Sequence, residues 1–164
     1  MEGRSAHGQM NRQLIYHHYL MLGLNLVVST IIMYFVMFTM NWSFGDFFNN
    51  VNMLYMALMM ATPMGILMLL MMRPMYPNYR LNLLLHGLFA LLFITALLGV
   101  RAQGLIGDRQ FVRSMIPHHS GAILMCNRSS LQDAEIRDLC FGANGIVETQ
   151  TREIVQMKAI LARL

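Results

Sequence analysis

Long apolar runs without charge alternate with short polar breaks up to about residue 100, where the pattern changes to that of a water-facing segment. No Asp, Glu, Lys or Arg occurs from Gln13 to Gly45, from Phe47 to Met72 or from Leu81 to Val100. A helix rising ~1.5 Å per residue needs about 20 such residues to cross a hydrocarbon core ~30 Å thick. As soluble helices the three runs would need covering on all sides, and the remaining chain is too short to do it. The pattern therefore predicts membrane spans at about Tyr19–Met40, Asn52–Met72 and Leu81–Val100. The breaks suit an interface: "NWSFGDFFNN" supplies Trp42, a polar turn and Asp46, and "RPMYPNYR" supplies prolines, tyrosines and arginines.

Beyond Val100, "RAQGLIGDRQ" reads as a linker, and the segment from Asp108 to Leu164 holds most of the charge. Two helices are expected there. The first runs from about Asp108 to Asn127, with Phe111, Met115, Ala122 and Cys126 recurring on one side. "NRSSLQD" turns the chain, and Asp133 is placed to cap a second helix that continues to about Leu164. Its stripe is Ile136, Cys140, Ala143, Val147, Gln150, Ile154, Met157 and Leu161. Gly142 and Gly145 each cost such a helix ~1 kcal/mol against alanine, so it must rely on tertiary packing. The fold class expected is all-α: a three-helix transmembrane region over residues 1–104 and a two-helix extramembrane hairpin over 105–164. One apolar face does not close a core. The hairpin needs a partner, either its own copy in a homodimer or the membrane part.

Composition sharpens this picture. The chain is 56% hydrophobic and 12% charged, against about 25% charged for an ordinary soluble domain. Its twelve basic residues are scattered, without the basic patch that nucleic acid requires, so no nucleic-acid partner is expected. No small-residue cleavage site follows the first apolar run, which reads as a retained anchor. Arg4 and Arg12 precede the first span, the first loop has no Lys or Arg, and the second has Arg73 and Arg80. That alternation puts the N-terminus in the cytoplasm and the tail outside, in the periplasm if the membrane is a bacterial inner membrane.

The tail also concentrates soft donors. "FVRSMIPHHSGAILMC" spans Phe111 to Cys126, and thioether, imidazole and thiolate together favour Cu(I). Met115, His119 and Cys126 share one helix face, while His118 lies about 100° round. Pro117 is expected to kink the helix, freeing a carbonyl near Arg113 and re-aiming His118. In an antiparallel hairpin Met157 meets the start of the first helix, which makes a Met115/His119/Met157 site geometrically reasonable. A plainer reading stands beside it, with the histidines as surface features and the methionines as core filler. Cys126 and Cys140 are taken first as small core residues, next as copper ligands and last as a disulfide. Met53, Met56, Met60, Met64 and Met71 recur along one face of the second span. They read as apolar helix formers, or else as a thioether ladder that His86, His17 and His18 would extend.

The tail resembles the domain of unknown function 305 family. The matching residues are Asp108, Phe111, Met115 to His119, Gly121 to Ile123 and Met125, then Glu135, Ile136 and Leu139, then Gln150, Glu153, Ile154 and Met157. The resemblance implies a ferritin-like helical bundle, of which this chain would supply half. It also implies periplasmic copper binding through Met and His, with Met115, His118, His119, Met125 and Met157 as candidate metal-site residues. Longer members carry two such hairpins and this chain one, so either two chains pair or the bundle is incomplete.

The function expected is capture of Cu(I) or Ag(I) by a membrane-anchored protein, for tolerance or delivery. The alternative is a structural protein whose tail dimerises or docks a partner. No enzyme is expected. A di-iron site needs a Glu-x-x-His pair, and none of Glu135, Glu148 or Glu153 precedes a histidine by three.

Overall fold

The computed structural model describes the backbone from Glu2 and the side chains from Gln13 onward. Arg4 and Arg12, which carry part of the topology expectation, have side chains outside the described residues. Six α-helices follow in order: α1 (Glu2–Val36), α2 (Val51–Met71), α3 (Tyr79–Ala102), α4 (Asp108–Arg128), α5 (Ala134–Phe141) and α6 (Ile146–Arg163). No strand occurs among the described residues. Three helical stretches, Gln13–Met40, Val51–Met71 and Tyr79–Ala102, are long and apolar enough to cross a membrane.

The chain divides into two compact units. Met1–Tyr34 and Tyr55–Ala102 form the first, and Phe35–Leu54 and Gln103–Leu164 the second. The second unit takes in the segment that joins the first two long apolar helices.

In the first unit, Leu22, Leu26, Leu69 and Tyr76 are buried, with Met64, Met68, Leu85 and Phe89 packed against them. α2 is the most covered of the spans, and this shows at Gly65, where a β-carbon would stand 2.8 Å from the Phe89 ring and 2.9 Å from Leu26. A larger residue there would have to push the Phe89 ring and the Leu26 methyl aside. Beyond the core, Leu24, Val28, Ile31, Leu84, Leu91 and Leu98 are all exposed. An apolar rind of this extent is unfavourable in water and natural in lipid. One polar pin holds the loop end of the unit. The Tyr19 hydroxyl donates to Asn82 Oδ1 at 2.7 Å, and Asn82 Nδ2 donates to the Tyr76 carbonyl at 2.7 Å. Burial, with Tyr19 alongside, pushes the Tyr76 phenol above its ordinary value.

In the second unit, α4 and α6 bury Val112, Ile116, Ile123 and Ile154 between them, and Val147, Met157, Ile160 and Leu161 pack around these. Each fully buried aliphatic side chain contributes about 1.5–3 kcal/mol. Asp133 caps α5 as expected, its side chain accepting from the Glu135 and Ile136 amides. The single second helix expected from the sequence is two helices. α5 stops at Phe141, and α6 starts after Gly145. Asn144 has a φ of 60°, a left-handed conformation that ends a helix, and a β-carbon on Gly145 would lie 2.9 Å from the Cys140 carbonyl oxygen. The two glycines are a stop rather than a tax on a continuous helix.

Candidate metal centre

α4 presents the histidine pair. It runs through Pro117 without interruption, and Pro117, Ile116 and Ser120 are buried on its inner side. His118 therefore stays on the exposed side, where the expected re-aiming does not occur. Its ring stands nearly edge-on to that of His119, with centroids 5.9 Å apart.

His119 is largely covered, its side chain 12% exposed, and both ring nitrogens are occupied. Nδ1 lies 2.8 Å from the Met115 carbonyl oxygen one turn back, and Nε2 lies 2.9 Å from Glu153 Oε2 on α6. Both neighbours only accept, so the ring fills both contacts only when each nitrogen carries a proton. The Glu153 contact also gives the register of the antiparallel pair. Met115 is one turn before His119, and Met157 is one turn after Glu153, so these two stand at one level. Both are half-buried, and Met157 packs against the hairpin core.

Met115, His119, Glu153 and Met157 are thus brought to one stretch of the helix pair. Among the described residues, no three His, Cys, Asp or Glu side chains converge as a metal site. Any metal held here must rely on the thioethers. Two thioethers and an imidazole suit a soft monovalent cation such as Cu(I) or Ag(I), and the Glu153 carboxylate would balance its charge. The donor chemistry fits the group.

The match to known proteins falls on this same segment. Residues 95–161 match the family described as Domain of unknown function (DUF305). The chain is also 33% identical over 130 residues to an uncharacterized protein of Acanthamoeba polyphaga mimivirus, covering 75% of this chain and 80% of that one. The chain belongs to the DUF305 family. No solved structure matches it.

Within the DUF305 segment, two expected site residues lie elsewhere. Met125 is more than a turn beyond His119 and 57% exposed. Cys126 is bonded to Cys140, with α-carbons 5.6 Å apart, so its sulfur is not a free ligand. The pairing ranked last from the sequence is the one found. The stop at Gly142 to Gly145 frees short α5 from the direction of α6, and the disulfide ties it to the end of α4. The methionine stripe of α2 is not an interior ladder either. Met56, Met60 and Met71 are exposed, whereas Met64 packs into the bundle core.

Glu153 is the residue that ligand spacing alone overlooked, although it lies four before Met157 and opposite His119. A second cluster was also missed, next to His119 in sequence. Asp46, 4% exposed, accepts from Lys158 Nζ at 2.6 Å and from Ser120 Oγ at 2.6 Å. Ser120 Oγ in turn accepts from the Trp42 amide at 2.8 Å, and the Arg128 guanidinium lies 5.7 Å above the Trp42 ring. This clasp ties the loop around Asp46 to α4 and α6. The signal for it was present: Asp46 is the only charge between Gln13 and Met72, and Lys158 the only lysine.

Proposed function

We propose that this DUF305 protein is a membrane-anchored metal-binding protein that captures Cu(I) or Ag(I) on its α4–α6 hairpin, without catalysis. The observation that carries this is the shared level of Met115 and Met157 across the helix pair, one turn from the His119–Glu153 contact. A captured cation takes the place of the Nε2 proton of His119, and Glu153 stays close enough to offset its charge. Thioether ligands keep the site selective for soft ions over Mg2+ or Ca2+, which prefer oxygen.

The proposed setting is the bacterial inner membrane with the hairpin in the periplasm and the N-terminus in the cytoplasm. Besides the distribution of Arg73 and Arg80, the Cys126–Cys140 disulfide supports a compartment outside the cytosol. Titration of the full chain in detergent with Cu(I), against a competing chelator, tests the function. Binding should weaken about tenfold or more in Met115→Leu/Met157→Leu, a pair that preserves volume. Equal binding by wild type and variant defeats the proposal.

A second reading, self-association without metal, is favoured by one observation. Phe111, His118 and Met125 recur every seven residues on α4, and all three are exposed. A homodimer through this stripe would complete a four-helix, ferritin-like bundle. Light scattering in detergent should then give a metal-independent dimer that Phe111→Glu dissociates.

A further inference from the structure

The first unit holds a cavity of about 300 Å³ bounded by α1, α2 and α3. Tyr19, Gly23, Leu26, Val27 and Thr30 form its α1 wall, at the spacing of one helix face. Leu85, Phe89 and Leu92 of α3 follow in the same direction, and Thr62 and Leu58 of α2 in the opposite one. Two contacts fix these levels. The Tyr19 hydroxyl reaches Asn82, and a β-carbon on Gly65 would touch both Leu26 and Phe89. The cavity is therefore a slot along α1, from Tyr19 at the loop end to Thr30. Eleven residues of helix rise ~16 Å, about half of a ~30 Å hydrocarbon core and so the depth of one leaflet. Over that length a volume of about 300 Å³ is narrow, enough for one hydrocarbon chain and too little for two.

The slot offers no hydrogen-bond donor. Thr30 donates to the Leu26 carbonyl at 2.7 Å, Thr62 to the Leu58 carbonyl at 2.9 Å, and Tyr19 to Asn82. A polar ligand would leave its own groups bare there, whereas an alkyl chain has none to satisfy. Gly23 marks space that side chains leave unfilled, since a β-carbon on it would meet nothing within 4 Å. Val27, one turn on, is 58% exposed, so the slot lies beside the outward face of α1.

Charge decides which molecule brings the chain. Among the described residues of the first unit, the charged side chains are Arg73, Arg80 and Arg101, with no carboxylate to balance them. Arg73 and Arg80 belong to the loop end that Tyr19 touches through Tyr76 and Asn82. Neither has to enter the slot; together they make its loop end cationic, which favours an anionic headgroup. We propose that the slot holds one acyl chain of an anionic phospholipid, with the phosphate at the Arg73 and Arg80 end. This rests on the membrane anchoring in the proposed function and not on the metal.

The full chain in mild detergent is titrated with phosphatidylglycerol and with phosphatidylcholine of matched acyl chains, and bound lipid is counted by native mass spectrometry. Wild type should retain one phosphatidylglycerol per chain, about tenfold more tightly than phosphatidylcholine. Gly23→Leu fills the slot and should weaken that binding about tenfold or more. Gly87→Leu, at an equally open glycine outside the lining, should leave it unchanged. Arg73→Gln/Arg80→Gln should remove the preference for phosphatidylglycerol while one lipid is still retained. Equal retention by wild type and Gly23→Leu overturns the proposal, because lipid would then only surround the helices. Equal retention of the two lipids by wild type, or tighter binding of a free fatty acid, overturns it as well. Should Gly23→Leu fail to fold, Val27→Trp crowds the same slot from its exposed side and takes its place. Reconstitution into nanodiscs tests the anchoring separately: a chain that inserts but retains no lipid refutes the slot alone, and one that does not insert refutes both.

Discussion

His119 Nε2 and Glu153 Oε2 lie 2.9 Å apart, joining α4 to α6 one turn from Met115 on one side and Met157 on the other. This contact reports the register of the hairpin, which the buried α4–α6 core holds, and with it which methionines stand level. Because Glu153 is half exposed, the pair should be worth modest energy. A double-mutant cycle with His119→Ala and Glu153→Ala should give a coupling of about 0.5–1 kcal/mol in unfolding of the apo protein. Additive effects would mean that the two side chains do not interact in the folded protein.

The clasp at Asp46 should be costlier to break. Ser120 is fully buried, and its hydroxyl both donates to the Asp46 carboxylate and accepts from the Trp42 amide. Ser120→Ala removes both bonds and should destabilise by about 2–3 kcal/mol. Amide exchange checks the mechanism, because Trp42 should lose protection while the amides of α6 keep theirs.

The disulfide should be detectable as chemistry before it is seen as stability. Cys126 and Cys140 should resist alkylation until the protein is reduced. Reduction closes off the contribution of a 14-residue separation, about 3 kcal/mol in the chain-entropy picture. Denaturation followed with and without reductant should show that loss, and Cys126→Ser/Cys140→Ser should reproduce it without reductant.

Tyr76 gives a pH dependence with a definite sign. Its phenol is held above the ordinary tyrosine value of about 10, so the folded protein keeps the proton more tightly than the unfolded chain. That contribution is complete below pH 10 and is lost as the pH climbs through the raised value. Thermal stability in detergent should fall above pH 10, and it should fall less in Tyr76→Phe.

The three helices long and apolar enough to cross a membrane were legible in the sequence because absence of charge over such lengths has few explanations. The all-α class and the first helix of the tail followed from periodicity, and the start of α5 from Asp133. The break at Gly142 to Gly145 was not read, since a glycine inside an apolar stripe looks like a weakened helix until a left-handed Asn144 shows that the chain turns. From that omission came the misplacement of Cys140 and the low rank of the disulfide. Of the residues that α4 and α6 bring to one stretch, Met115 and His119 were picked out by their four-residue spacing, and Met157 by the hairpin. Glu153 escaped because partners across two helices have no spacing to read. Asp46 escaped because its partners, Ser120 and Lys158, are distant in sequence.

X-ray absorption at the copper edge, on the full chain loaded with one Cu(I), addresses the ligands themselves. The account predicts sulfur and imidazole scattering together, with the sulfur contribution lost in Met115→Leu/Met157→Leu and the imidazole contribution lost in His119→Gln. A copper shell of nitrogen and oxygen alone, or one unaltered by these substitutions, would contradict it.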